Sequence, residues 1–155
     1  MFNKNNPFTK TMQLALFEAK LAYKRNEVPV GAVVFKDGSL ISKAGNEVES
    51  TLNPLAHAEI LALQRATKIL GTLLYDCDLY VTLEPCPMCA HAISLYRIKR
   101  LYFGAEDFKG GGVINGPKIF SQNTCHHSPE IYNGLCSNES SSLLKSFFKK
   151  LRSSK

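Results

Sequence analysis

Residues 79–104 read LYVTLEPCPMCAHAISLYRIKRLYFG, and this stretch decides the fold of the chain. Residues 79–83 are short, apolar and rich in residues that favour strands, which predicts a buried strand. The segment EPCP then interrupts the strand, and residues 88–96 contain good helix formers. Residues 100–104 predict a further strand. Strands that alternate with helices in this way predict an α/β fold, in which helices cover both faces of one sheet.

The segment before this stretch predicts a helix followed by a hairpin. Thr9 is a candidate cap for a helix whose apolar residues repeat at helical spacing. Residues 30–35 and residues 39–44 predict two strands, and Asp37 and Gly38 between them are typical of a tight turn. Two strands joined by a tight turn are antiparallel, so the sheet is expected to be mixed, within a three-layer α/β/α sandwich.

The remaining segments are assigned from the glycine and other turn-forming residues that they contain or that bound them. Residues 46–54 predict a loop, and residues 57–70 predict a helix that ends at Gly71. Residues 108–116 contain four glycines and predict a loop. Residues 121–138 mix turn formers with isolated apolar residues, which predicts irregular structure.

The chain ends in a predicted basic helix, from about 139 to 152. Its apolar residues share one face and its basic residues lie off it: Leu143, Leu144, Phe147, Phe148 and Leu151 against Lys145, Lys149 and Arg152. Residues 143–155 contain five basic residues and no acidic one, within a chain of net charge +6. This charge indicates either an anionic partner or a solvated helix end.

Composition limits the class of protein. The chain has 155 residues, of which 45% are apolar, so it is expected to form a single domain over 1–155. No apolar run is long enough to cross a bilayer, and residues 1–10 are too polar for a signal peptide, which predicts a cytoplasmic protein without a membrane partner. The five cysteines are an odd number and include one C-x-x-C, which indicates metal or redox chemistry.

Two short segments contain the candidate chemistry, and each one opens a predicted helix. His57 and Glu59 stand in the first segment, and Cys86 and Cys89 stand about thirty residues later in the second. Imidazole and thiolate are preferred zinc ligands, and three protein ligands that leave one position for water are typical of a catalytic site. The pattern therefore predicts one catalytic zinc ion per subunit, held by His57, Cys86 and Cys89.

Glu59 is the candidate catalytic residue. Two thiolate ligands cancel the charge of the zinc ion, which leaves its water less acidic than on an all-histidine site. A separate proton acceptor is then needed. Glu59 can accept the proton, deliver it to a ring nitrogen and later protonate a leaving amine. The predicted reaction class is hydrolytic loss of ammonia from an amidine-like ring carbon.

Other interpretations of the cysteines remain. A structural zinc site would need a fourth ligand, and the chain offers several candidates: Cys77, Cys125, His91, His126 and His127. A redox C-x-x-C would leave the His-x-Glu pair without a role. The Cys-His-His run at residues 125–127 could mimic a second metal site, although a loop beside a bound substrate or a dimer contact is the preferred interpretation. His91 is interpreted as a helix-surface or interface histidine.

The combination of H-x-E with P-C-x-x-C resembles the signature of the zinc nucleobase deaminases. The chain is similar to their tRNA-adenosine deaminase family over nearly its whole length. Four segments carry the similarity: EVPVGAV (27–33), AHAEI (56–60), YVTLEPCPMCA (80–90) and FGAEDFKG (103–110). The resemblance implies a cytidine-deaminase-like fold with a mixed five-stranded sheet, a homodimer, and conversion of adenosine to inosine at the wobble position of a tRNA anticodon stem-loop.

The resemblance also implies substrate contacts. Val30, Asn46 and Ala58 would line the base and ribose pocket, and Asp107 and Lys109 would lie beside the flanking nucleotides. The terminal helix would help hold the anticodon loop through four side chains: Phe147, Phe148, Lys149 and Arg152. Core packing is the alternative for the two phenylalanines, and a turn is the alternative for Asn46.

Two rival functions stay open. The first is a deaminase of a free base or nucleotide, of the guanine or cytidine type, because such enzymes share the same metal motif. Free cytidine deaminases usually carry cysteine at the position of His57, and a free base offers no phosphate to the basic helix. The second rival is an inactive RNA-binding protein of the same fold. Such a protein would have no use for Glu59.

Overall fold

The computed structural model of the chain describes residues 5–155. Residues 1–4, which belong to the predicted single domain and to the polar start, lie outside the described residues. Among residues 5–155, no helix is long and apolar enough to span a bilayer.

A five-stranded mixed sheet forms the centre of the molecule, as the resemblance implied. Its strands stand in the order β2-β1-β3-β4-β5. β1 pairs antiparallel with β2 and with β3, whereas β3, β4 and β5 run parallel. The strands have these bounds: β1 Gly31–Lys36, β2 Ser39–Gly45, β3 Cys77–Leu83, β4 Arg100–Ala105 and β5 Glu130–Asn133. The expected mixed sheet is therefore confirmed.

The predicted tight turn between β1 and β2 is also confirmed. Lys36 pairs with Ser39, which leaves two residues in the turn. Both turn residues have positive φ, 50° at Asp37 and 76° at Gly38. These angles are those of a primed turn, whose twist matches the twist of the strands.

The prediction of only irregular structure in residues 121–138 is wrong, because β5 lies inside this segment. β5 has only four residues and is the edge strand beside β4. An edge strand of this length shows too few residues for an alternating pattern, so the sequence gives no strand signal there. A single 3₁₀ turn, Ile119–Ser121, precedes it.

In the described part of the chain, five helices surround the sheet: α1 Pro7–Lys24, α2 Val48–Thr51, α3 Ala58–Leu70, α4 Pro87–Leu95 and α5 Ser137–Ser153. The short α2 lies within the segment predicted as the 46–54 loop. α5 starts two residues before the predicted start. Its predicted apolar face is only partly covered, since Phe147 is buried while Phe148 and Leu151 are exposed.

Two hydrophobic clusters show how the layers pack. Met12 and Leu16 of α1 pack with Val33 and Tyr80 on one face of the sheet, and α5 contacts α1 on this side. On the other face, α3 and α4 pack against the larger cluster, which includes Leu79 and other fully buried strand residues. The structure is therefore the expected three-layer α/β/α sandwich.

Thr9 does not cap α1, and this part of the prediction is wrong. The helix starts at Pro7, and the Asn6 side chain accepts a hydrogen bond of 2.9 Å from the Phe8 backbone N–H. Proline suits the first helical position because its missing N–H would have no partner there. Thr9 is buried inside the first turn, and its hydroxyl has no hydrogen-bond partner among residues 5–155.

Replacing Gly31 by alanine tests the close packing of α1 on β1. A Cβ atom at position 31 would overlap the Ala15 carbonyl oxygen and lie 2.6 Å from the Ala19 backbone nitrogen. Because both are backbone atoms, the helix has to shift. We expect the free energy of unfolding, measured by urea denaturation, to fall by about 1–3 kcal/mol.

Gly110→Ala is the matched control for this substitution. The added methyl group there meets only the Asp107 side chain, with its nearest atom at 3.1 Å. A loss of stability at Gly31 no larger than the loss at Gly110 would contradict the tight contact between α1 and β1.

Candidate active site

The candidate site lies at one edge of the sheet, where several segments end together. β3 and β4 are parallel, so their carboxyl ends meet at this edge. Gly31, at the start of β1, pairs with Gly45, at the end of β2, and β1 runs antiparallel to β3. The start of β1 and the end of β2 therefore reach the same edge. Ligand sites of open α/β sheets lie in this position, beyond the carboxyl ends of parallel strands.

Two helix starts bring the three predicted metal ligands together. His57 directly precedes α3, Cys86 directly precedes α4, and Cys89 lies in the first turn of α4. The Nδ1 atom of His57 lies 3.6 Å from Cys86 Sγ and 3.5 Å from Cys89 Sγ. All three ligand atoms lie within 4.8 Å of one another.

These distances fit a tetrahedral metal centre. Zn–S bonds of about 2.3 Å and Zn–N bonds of about 2.0–2.1 Å at tetrahedral angles separate a nitrogen from a sulfur by about 3.6 Å. The two observed N–S separations agree with this value. Cys89 is buried, whereas His57 and Cys86 are partly exposed. The cluster therefore has one open side, as a catalytic rather than a structural metal site requires.

The protonation of the three groups also suits a cation. The pKa of Cys86 is lowered to about 4, because the Cys89 thiol and the His57 ring donate hydrogen bonds to its thiolate. The pKa of Cys89 is raised, because its proton is held in the hydrogen bond to Cys86 and because the side chain is buried. The pKa of His57 is raised by its hydrogen bond to Cys86. The three groups thus lie close enough to share protons by hydrogen bonding, and a divalent ion bound among them would replace those protons.

Glu59 lies beside this cluster in the first turn of α3. Its side chain is 4% exposed, and burial raises its pKa because the charged form loses hydration. The same residue lines the cleft in front of the cluster. A carboxyl group in this environment can both accept and release a proton, which is the property needed in a general acid–base residue.

The cleft has a volume of about 790 Å³ and contains most of the predicted pocket residues. Val30, Asn46, Ala58 and Asp107 all line it, together with His57, Glu59 and Cys86. Asn46 is held in place through its backbone: its N–H donates to the Val30 carbonyl at 3.1 Å, and Arg25 donates to its carbonyl at 3.3 Å.

The predicted RNA-contacting residues do not all lie together. Lys109, Phe148 and Arg152 line a second groove of about 880 Å³. Phe147 is 6% exposed and its ring packs edge-on against Tyr23, with centroids 5.7 Å apart. The core-packing alternative therefore describes Phe147. Lys149 is exposed on α5.

Glu84 is a buried residue of the site that the sequence interpretation missed. It directly precedes Pro85 and Cys86, and its carboxylate accepts five hydrogen bonds from the loop after β4. The donors are Asp107 N (3.0 Å), Val113 N (3.1 Å), Ile114 N (3.0 Å), Asn115 N (3.0 Å) and Asn115 Nδ2 (2.7 Å). Burial alone would raise the pKa of Glu84, but these donors lower it. The ligand segment and the loop that carries Asp107 are thus tied to one carboxylate.

Glu27 supports the opposite wall of the cleft and was also missed. It is fully buried, and its carboxylate accepts hydrogen bonds from the backbone N–H groups of Glu49 (3.2 Å) and Ser50 (2.7 Å). Both donors belong to α2, whose residues line the cleft. For Glu84, the available signal was an acidic residue directly before the metal motif. For Glu27, it was an acidic residue three positions before a predicted strand.

The Cys-His-His run contacts α4 and the loop after it. The Cys125 thiol donates to the Ser94 hydroxyl at 3.3 Å, and His127 Nε2 lies 2.6 Å from the Ile98 carbonyl oxygen. Within residues 5–155, His57, Cys86 and Cys89 are the only group of three or more histidine, cysteine or acidic residues placed to hold a metal. His91 is partly exposed on α4.

Comparison with known proteins identifies the family. The sequence profile of the MafB19-like deaminase family matches residues 6–152. The tRNA-specific adenosine deaminase of Agrobacterium fabrum is 51% identical over 145 residues, which cover 93% of this chain and 95% of that protein.

Solved structures agree with this assignment. A structure from a study of A-to-I editing by tRNA:A34 deaminases superposes with a TM-score of 0.86 at 52% identity, and covers 88% of this chain and 99% of that one. A guanine deaminase from Nitrosomonas europaea shares the fold, with a TM-score of 0.78 at 23% identity. The match covers 90% of this chain and 83% of that one. The chain belongs to the MafB19-like deaminase family and, within it, to the tRNA-specific adenosine deaminases.

Proposed function

We propose that this protein hydrolyses adenosine to inosine at the wobble position of a tRNA anticodon, with one zinc ion per subunit. The observation that carries the proposal is an open three-ligand cluster with Glu59 beside it in a cleft. His57, Cys86 and Cys89 would hold the ion. When bound, a zinc ion supplies the Lewis acidity that makes a water molecule nucleophilic.

The chain's own residues would supply the remaining chemistry. Glu59 accepts one proton of the attacking water and passes it to the adjacent ring nitrogen of the base. It then takes the second proton, from the hydroxyl group now bonded to the ring carbon, and delivers it to the amino group. The C–N bond breaks, the carbonyl group forms and ammonia leaves. Because Glu59 is buried, bulk water does not compete for these transfers.

The walls of the cleft suit a base taken out of its stack. Val30 and Ala58 offer apolar surface, and Asn46 and Asp107 offer hydrogen-bonding groups. An adenosine in a single-stranded loop enters such a cleft at a lower cost than one in a duplex, because less pairing and stacking is lost. A hairpin loop is therefore the preferred substrate form.

The basic helix α5 would contact the rest of the anticodon stem-loop. Phe148 and Arg152 line the groove beside the cleft, and Lys149 is exposed on the same helix. Cationic side chains attract phosphates and exposed aromatic rings stack on bases. Phe147 would contribute indirectly, because its packing against Tyr23 holds α5 against α1.

We further propose a homodimer of single-domain subunits in the cytoplasm. Leu52 and Leu55, next to the cleft wall, are 89% and 57% exposed, which supports an apolar contact with a second copy of the chain. Thiolate ligands persist in a reducing compartment, where tRNA also functions.

A substrate panel tests the proposed function. The zinc-loaded protein is expected to form inosine in an anticodon stem-loop that contains the wobble adenosine, measured by nuclease digestion and chromatography. Free guanine, cytidine and adenosine, and a fully paired RNA of the same sequence, are the comparison substrates. Ammonia release from a free base with no inosine in the stem-loop would contradict the proposal, as would equal rates on paired RNA.

Glu59→Gln tests the proton transfer. The amide has nearly the same shape as the carboxyl group but cannot accept the proton, so we expect the single-turnover rate on the stem-loop to fall about 10²- to 10⁴-fold. Zinc content and stem-loop binding, measured by metal analysis and fluorescence anisotropy, should stay at the wild-type level. A rate near wild type would remove Glu59 from the mechanism.

Cys86→Ser and Cys89→Ser test the metal site. Each variant loses a thiolate ligand, so the purified protein should contain well below one zinc ion per chain by mass spectrometry of the metal. Cys136→Ser is the matched control, since Cys136 lies at the start of α5, outside the ligand cluster. Full zinc content in both ligand variants, or an equal loss in the control, would contradict this ligand set.

A further inference from the structure

The proposed function places part of the stem-loop in the groove next to the catalytic cleft, but gives no role to Phe108, which also lines this groove. Its volume is about 880 Å³, and it lies between the loop after β4 and helix α5. Val28, Leu83 and Asp107 line both the groove and the cleft. Because the two spaces share these walls, the groove lies within reach of a nucleotide that adjoins a base bound in the cleft.

Phe108 is exposed on the loop side of this groove. Its side chain is 79% exposed, which is a costly position for an apolar ring of this size. On the helix side, the ring of Phe148 is 41% exposed and lines the same groove. The groove thus has an aromatic ring on each of its two sides.

The loop that carries Phe108 is fixed from both directions. Asp107 Oδ1 accepts hydrogen bonds from the backbone N–H groups of Lys109 (3.1 Å) and Gly110 (2.9 Å). The Asp107 N–H donates in turn to the buried Glu84 carboxylate at 3.0 Å. The backbone at Phe108 is therefore ordered before a ligand binds, and little conformational entropy remains to be lost when its ring is covered.

The charges of the groove favour a polyanion. Lys109, Lys145 and Arg152 line it, against the two acidic residues Glu106 and Asp107. Aromatic faces combined with a cationic groove are the features that bind single-stranded nucleic acid, because bases stack on the rings while phosphates meet the cations. An apolar protein segment would gain nothing from the three cationic side chains.

We propose that Phe108 is a specificity-determining residue that stacks on the base of a nucleotide directly adjoining the target adenosine, with Phe148 as the opposite wall. The inference rests on the proposed function and extends it, because it assigns a base-binding role to a residue outside the catalytic cleft. Stacking on Phe108 holds the neighbouring base out of the loop stack and so fixes the register of the strand.

Phe108→Ala tests the inference on three stem-loops: the intact substrate, one with an abasic site 5′ of the adenosine and one with an abasic site 3′ of it. We expect kcat/KM on the intact stem-loop to fall about tenfold, mainly through KM. On one of the abasic substrates, the variant and the wild type should become equal, because the base that stacks is missing. Phe108→Tyr should restore the wild-type value.

Phe17→Ala is the matched control. Phe17 is 57% exposed on α1 and lies outside the residues that line the groove, so its removal should leave kcat/KM unchanged on all three substrates. Failure of the wild type to deaminate the intact stem-loop would contradict the proposed function itself. The Phe108 inference fails if Phe108→Ala keeps full activity, loses the same factor on all three substrates, or changes only the oligomeric state in sedimentation.

Discussion

Two helix starts must meet at one point for this site to exist, because its ligands come from segments about thirty residues apart in the chain. His57 precedes α3 and Cys86 precedes α4, and both helices pack on the same face of the sheet. The parallel pair β3 and β4 requires α4 to cross over the sheet. α3 makes a similar crossover from β2 to β3, which run in the same direction because both are antiparallel to β1. The core under α3 and α4 therefore sets the N–S distances of the cluster.

Three buried carboxylates surround the cleft, and their environments give them different tasks. Glu84 accepts five hydrogen bonds, which outweigh its burial and lower its pKa. Within residues 5–155, no such set of backbone donors from another segment reaches Glu59, and burial raises its pKa. Glu27 accepts two backbone hydrogen bonds from α2. Two of the carboxylates thus organise loops, while Glu59 keeps the capacity to exchange a proton.

The two loops held by these carboxylates form opposite sides of the substrate space. α2, which is hydrogen-bonded to Glu27, borders the cleft beside Asn46. The loop after β4, which is hydrogen-bonded to Glu84, contributes Asp107 to the cleft and Phe108 to the groove. A buried carboxylate without partners is strongly destabilising, so each loop must keep its backbone N–H groups in place. These hydrogen bonds hold α2 and the loop after β4 in one conformation at the sides of the cleft.

The sequence by itself determined most of the fold and which residues are candidates for the chemistry. The candidate metal ligands, the candidate proton carrier Glu59, the hairpin, and helices α3 and α4 follow from residue type and spacing, because these signals are local. The tertiary structure alone decided β5, whose four residues are a strand only through pairing with β4. It also decided that Phe147 is buried and Phe148 is exposed. A helical pattern shows which residues share the apolar face, but not how much of that face another helix covers. Glu84 and the groove at Phe108 likewise depend on contacts between segments distant in the chain, and spacing along the chain cannot encode such contacts.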